Sequence, residues 1–168
     1  KLIREVAADE SREPVDVAVH QLLGVEARGG IYRMAGADVR KEMTLPWVAT
    51  ASDGSSKVDD GTRPHPRSFG TFPRKIGRYA LGQEVLSLAA AVRSASGLPA
   101  DILLLKDRGY LRPGLVADVA VLDPERLIDR ATFQQPFLQS VGVEWVLVNG
   151  QVASERGEQT GVLAGRPP

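Results

Sequence analysis

The sequence predicts an α/β protein in which short helices and strands alternate over roughly its first hundred residues, with a β-rich tail after them. Three observations carry this reading. Apolar residues recur at helical spacing in short stretches bounded by Gly and Pro. A compact run, Trp47-Val48-Ala49-Thr50-Ala51, lies between two such stretches. Beyond about Asp107 the pattern changes to short apolar runs and tight-turn residues. Alternation of this kind favours a parallel sheet or barrel with outer helices.

Residues 11–24 read as a helix, with Pro14 in the first turn, Val15, Ala18, Val19 and Leu22 as its apolar stripe, and Gly24 as a stop. Gly30 to Met34 is a short strand candidate. Residues 36–45 form a second helix with Val39 and Met43 on one face, ending before Pro46 because a residue preceding proline disfavours the α region. The run from Trp47 to Ala51 reads as a buried strand ending in the polar turn Ser52-Asp53-Gly54. Residues 54–72 read as a long loop, and long loops in compact regions are usually functional or disordered. Residues 73–81 read as a helix with Ile76 and Ala80 inward. Residues 87–96 form a stronger helix, with the stripe Leu88, Ala91, Val92, Ala95 and with Gly97 and Pro99 beyond its end. Residues 99–105 add a helical turn. In the tail, Val116 to Leu122 and Val143 to Val148 are strands, and Asn149-Gly150 is a type I′ hairpin signal leading into Gln151-Val152-Ala153.

The chain has 168 residues, with 43% hydrophobic, 25% charged and 5% aromatic residues, so an ordinary core must be filled by aliphatic side chains. Lys+Arg and Asp+Glu are both 21. That balance argues against nucleic acid as the main partner, which needs a clustered positive field. No apolar run approaches the ~20 residues that span a bilayer. There is no cysteine, which removes disulfides, thiol catalysis and thiolate metal sites together. The chain opens inside a charged, helix-like stretch, Lys1 to Glu13, which reads as a cut through a longer protein. The absence of a targeting pattern gives a cytoplasmic expectation.

Asp53 is the first candidate for chemistry. At the C-terminal end of a barrel strand a carboxylate orients a metal-bound water and passes its proton to a leaving nitrogen; an Asp-Gly turn is the commoner role for a lone Ser-Asp-Gly. His65 is the only loop histidine of the two in the chain, a candidate ligand, proton shuttle or hydrogen-bonding residue. His20 reads as structural, near the surface of its helix. Arg63, Arg67, Arg74, Lys75 and Arg78 form a basic cluster, within which Arg67 and Arg74, flanking Phe69-Gly70-Thr71-Phe72, are candidates to clamp a substrate carboxylate. A catalytic zinc usually takes three protein ligands. This chain has no His-x-His and no His-Glu-x-x-His, and His20, His65 and Asp53 make an unpromising set. A nucleophile elbow, a P-loop and a dinucleotide fingerprint are absent too.

The order Trp47-Val48, Ser52-Asp53-Gly54, His65-Pro66-Arg67-Ser68-Phe69-Gly70-Thr71-Phe72-Pro73-Arg74, then Leu86-Ser87-Leu88-Ala89-Ala90-Ala91-Val92-Arg93, resembles the C-terminal third of N-acyl-D-amino-acid deacylases, the D-aminoacylases of the amidohydrolase superfamily. The tail adds Leu111-Arg112-Pro113-Gly114, Ala117-Asp118-Val119-Ala120-Val121, Asp129-Arg130-Ala131-Thr132-Phe133 and Val146-Leu147-Val148-Asn149-Gly150. The Ala-Asp and Val-Asn-Gly elements are common to many amidohydrolases. The His-Pro-Arg and Gly-Thr-Phe-Pro-Arg elements are much more specific to the deacylase branch.

The resemblance implies a partial TIM-like (β/α) barrel, its last strands and helices in residues 1–105, followed by strands of a small β-sandwich domain in 106–168. It implies zinc as cofactor, with the principal ligands upstream of the region seen here. It also implies that Asp53 is the acid/base carboxylate after barrel strand eight and a candidate metal ligand. His65, Arg67 and Arg74 map onto a loop near the active-site mouth as substrate-binding candidates. The implied reaction is hydrolysis of the amide of an N-acyl-D-amino acid, carried out by a full-length parent, with this chain inactive alone. Its partners would be that substrate and either the rest of the parent chain or a second copy. Two other readings stand beside it: another amidohydrolase, dipeptidase-like or acting on cyclic amides, and a non-catalytic, self-associating remnant.

Overall fold

The computed structural model describes residues 2–24 and 34–166, which fall into two compact units, Lys1–Ala35 and Gly36–Pro168. In the first unit, helix α1 (Ile3–Glu10) packs against helix α2 (Pro14–Gly24). The Glu5 carboxylate accepts the Leu2 backbone N–H at 3.0 Å and closes the first turn of α1. Ser11, at φ 51°, ends α1 in the left-handed conformation. The buried residues are Ala7 and Val17, whereas Val15 and Val19 lie open. Of the stripe expected on α2, Val15 and Val19 are thus open and Ala18 half-buried, while Val17, outside that stripe, is buried. His20 is exposed, as read from the sequence. The strand candidate Gly30 to Met34 lies outside the described residues except for Met34, which has no regular structure.

The second unit begins with α3 (Gly36–Met43), where Val39 and Met43 are half-buried. The run from Trp47 to Ala51 is not a buried strand. Trp47 lies in a turn and residues 48–51 have no regular structure and no ladder partner; Trp47 is 68% exposed, and Thr50 N–H donates to the Ser94 carbonyl at 2.7 Å. A parallel strand is hydrogen-bonded by neighbours that reach it through crossover connections, and no described strand flanks this run.

The loop and helix boundary also moves. Helix α4 (Arg67–Pro73) occupies the end of the segment expected to be loop, and it passes at Pro73 directly into a π-helical segment, Arg74–Gly82. Gly70, Thr71 and Pro73 are weak helix formers and hide the helix from periodicity alone. Burial of one face offsets that weakness: Ile76 and Ala80 point inward as expected, together with Gly70.

Helix α5 (Leu88–Ala95) starts at Ser87, whose hydroxyl caps the Ala90 N–H at 3.2 Å. It buries Ala91 and Ser94 and leaves Leu88 and Val92 more open than the expected stripe. Helix α6 (Gly97–Ile102) follows at once. The tail is a single four-stranded antiparallel sheet in the order β1 (Val119–Leu122), β2 (Val143–Val148), β3 (Gln151–Glu155), β4 (Glu158–Gln159). Asn149 and Gly150 have φ of 50° and 78°, the positive pair that a type I′ turn requires. Arg156 and Gly157 repeat the device before β4, at 49° and 88°. The core joins helical and sheet parts: Ile76, Ala80, Leu86, Ala91 and Leu127 pack together, with Leu122 and Val143 of the sheet against them. No described helix is long and apolar enough to cross a membrane.

Candidate active-site loop

Asp53 follows the irregular run 48–52 with φ 48°, a left-handed conformation in which Asp is enriched among non-glycine residues. The turn is held locally. Ser52 Oγ accepts the Gly54 N–H at 3.2 Å, and Ser68 Oγ accepts the Ser55 N–H at 3.4 Å. Gly54 packs so closely on α4 that a Cβ there would lie 2.9 Å from the Ser68 Cα. Glycine is what lets the Asp53 turn rest against the first turn of α4.

That approach brings two sequence candidates together. The Arg67 guanidinium pairs with Asp53 through Nη1 and Oδ2 at 3.0 Å. The Asp53 side chain is 84% exposed, so the pair is worth at most about 1 kcal/mol and does not lock the carboxylate in place. What the contact establishes is placement: a carboxylate and a guanidinium at one open position.

His65 adjoins them. Its Nδ1 accepts the Arg67 backbone N–H at 3.0 Å, so in the neutral ring the proton sits on Nε2. Its ring stands edge-on to Phe133, centroids 4.9 Å apart at 78°. Desolvation, and then the positive charge of Arg67, hold the His65 pKa below its ordinary 6.5, while Asp53 pulls the other way. A neutral His65 at pH 7 suits hydrogen bonding better than charge pairing.

Arg74 is placed differently. Its Nε and Nη2 both bind Asp129 Oδ2, at 2.9 and 2.6 Å, and the Asp129 side chain is only 3% exposed. Lys75, next along the chain, is 4% exposed and donates through Nζ to Thr50 Oγ1 at 2.7 Å. Thr50 Oγ1 in turn meets Ser94 Oγ at 3.3 Å. Burial lowers the Lys75 pKa below its ordinary 10.5. Arg63 and Arg78 are exposed, in keeping with a solvated basic face.

Asp129 and Phe133 were not singled out from the sequence as site residues. The available signal was an Asp set among Ile128, Ala131 and Phe133, an apolar context in which a carboxylate needs a partner.

Among the described residues no three His, Cys, Asp or Glu side chains come together as a metal-holding group. Asp53 faces a guanidinium, and His20 and His65 belong to different units. The residues present do not make a zinc site by themselves.

The geometry sets a carboxylate, a guanidinium and a neutral imidazole at one open loop, and sequence comparison supplies the class of protein. The chain belongs to the amidohydrolase family, whose profile matches residues 14–153. N-acyl-D-glutamate deacylase of Alcaligenes xylosoxydans xylosoxydans is 47% identical over 123 residues, which cover 73% of this chain and 25% of that protein. D-aminoacylase of the same organism is 36% identical over 163 residues, 96% of this chain and 32% of that protein.

Solved structures agree. A D-aminoacylase crystal structure aligns with a TM-score of 0.79 at 32% identity, covering 95% of this chain and 32% of its own. The N-acyl-D-glutamate deacylase of Bordetella bronchiseptica, complexed with zinc and a phosphonate inhibitor that mimics the reaction's tetrahedral intermediate, aligns with a TM-score of 0.73 at 34% identity. That alignment covers 94% of this chain and 33% of the other. The chain thus spans a quarter to a third of the length of these relatives.

Proposed function

We propose that these 168 residues are the part of an N-acyl-D-amino-acid deacylase that contributes the acid/base carboxylate and the substrate-carboxylate clamp. The observation that carries the reading is the Asp53–Arg67 contact, 3.0 Å across the Ser52-Asp53-Gly54 turn, in a chain of this family. In this reading residues 1–105 belong to the barrel and residues 106–168 to the small sandwich domain. Zinc, were it held by side chains of the rest of the parent, would polarise the substrate carbonyl. This chain's own residues do the rest. Asp53 takes a proton from the water that attacks the acyl carbon and returns it to the amine nitrogen as the C–N bond breaks. Arg67 binds the α-carboxylate of the N-acyl-D-amino acid, and its planar fork suits that group better than an ammonium would. His65, neutral, holds the Arg67 backbone through Nδ1 and offers Nε2–H at the mouth of the site. Arg74, whose Nε and Nη2 are both taken up by the buried Asp129, supports this loop in our reading rather than clamping the substrate.

The test is an assay of the full-length parent against matched N-acyl-D- and N-acyl-L-amino acids, with zinc measured in the same sample. The expected result is amine release from the D series, lost on chelation and regained with zinc. Turnover of dipeptides or cyclic amides without any N-acyl-D-amino-acid hydrolysis would sink the reading.

A further inference from the structure

We infer that the connection between β1 and β2, residues 123–142, is a saddle that positions Arg67 for the substrate carboxylate, with Asp129 as its principal positioning residue. The inference rests on the reading of Arg67 given above. Four separate contacts tie this connection to the short stretch 65–74. Asp129 Oδ2 takes two N–H groups of Arg74 just past the end of α4. Ser140 Oγ donates to the Phe69 carbonyl at 3.0 Å. Phe137 and Phe69 stack edge to face, centroids 5.5 Å apart. Phe133 meets His65 in the same manner at the start of α4.

The fit is close as well as multiple. A Cβ on Gly70 would lie 3.0 Å from the Asp129 Cβ, so the α4 backbone rests directly on this side chain. Asp129 Oδ1 is buried with no hydrogen-bond donor among the described residues, so the carboxylate's charge is committed to Arg74 alone. Helix α4 has only seven residues and no side-chain hydrogen bond at its N-cap. Its C-terminal end runs on into the π-helical segment, so the end left to be fixed by packing is its uncapped first turn, which rests on the connection through the His65, Phe69 and Gly70 contacts. Arg67 is its first residue, so a tilt of α4 carries the guanidinium with it. The tail sheet thereby acts on a site that none of its strands reaches.

The experiment uses the full-length parent. It compares wild type, Asp129→Asn, Arg67→Met and the double variant on an N-acyl-D-amino acid and on the matching N-acyl amine, which lacks the α-carboxylate. Misplacing a binding group by a fraction of an ångström to an ångström costs on the order of tenfold to a hundredfold. Asp129→Asn is therefore expected to raise KM for the acid about tenfold and to leave kcat within about twofold. It should leave kcat/KM for the carboxylate-free amine unchanged, and it should add nothing in the Arg67→Met background. Equal losses on both substrates, a wild-type KM, or full additivity with Arg67→Met would each overturn the inference. If Asp129→Asn does not fold, Phe133→Leu carries the same test through the His65 contact, with a smaller KM change expected and a wild-type KM overturning the inference. Asp53→Asn separates the two layers. If that variant keeps its activity, the reading of the site itself fails. If it is inactive while the Asp129 series behaves as wild type, only the saddle fails.

Discussion

Residues 47–55 and residues 67–82 lie side by side and are supported in opposite ways. The first stretch carries the candidate acid/base group, yet it has no regular structure and no described strand beside it, and is held by the Thr50–Ser94 hydrogen bond and by the turn at Gly54. The second stretch is poor helix-forming sequence, yet it is helical throughout because the core residues Ile76 and Ala80 and the Asp129 carboxylate hold it in place. The lesson is that the reactive group and its support are separable here. The proposed acid/base group sits on a segment that this chain leaves half-supported, and the support comes from the neighbouring helix and, through it, from the connection between β1 and β2.

The sharpest way to break that comparison is a change that should alter activity and nothing else. Asp53→Asn in the full-length parent is expected to lower kcat by roughly 10²–10⁴-fold, the usual worth of a positioned acid/base group. The melting temperature should not change measurably, because the Asp53 side chain is 84% exposed and its pairing with Arg67 is a surface one. A large loss of stability would mean that the turn supports the fold, and the contrast between the two stretches would fail.

The converse change should act on stability. Arg74→Met leaves the buried Asp129 without its cation. Breaking a buried pair costs about 3–5 kcal/mol, and the loss here belongs at the low end, about 3 kcal/mol, because the Arg74 side chain is 41% exposed. Urea denaturation of the full-length parent and its Arg74→Met variant measures it. A change within about 0.5 kcal/mol, the range of an ordinary surface substitution, would show that Asp129 does not depend on Arg74.

How much of this was legible in the sequence follows the same division. Ile76 and Ala80, and the Asn149-Gly150 turn, were readable because periodicity and turn chemistry are local, and the structure places them as read. The Asp53 turn and the Arg67 candidate were readable as residue types, and the structure adds that they touch. Three features were not readable. Trp47 to Ala51 has strand composition, but a ladder depends on neighbours that composition cannot supply. Helix α4 is masked by Gly70 and Pro73, whose propensities packing overrides. Asp129 lies 55 residues from Arg74, so no window of local pattern pairs them.

The smallest predicted effect falls on the seam between the two stretches, where Lys75 reaches from the π-helical segment to Thr50 of the irregular run. Burial lowers the pKa of this ammonium in the folded chain below its ordinary 10.5. The unfolded chain therefore binds more protons than the folded one between the lowered value and 10.5, and stability must rise with pH across that window. Below the window the full penalty of burying a charge is present; above 10.5 both states are neutral and it is gone. Lys75→Met never carries the penalty. The expected outcome is that the variant gains on wild type at pH 7 and that the difference moves back toward wild type as pH approaches 10.5. Urea midpoints for both proteins at pH 7, 9 and 10 measure it. A difference independent of pH would mean that the ammonium is not penalised by burial in solution, and that the seam is more open to water than the 4% exposure of Lys75 implies.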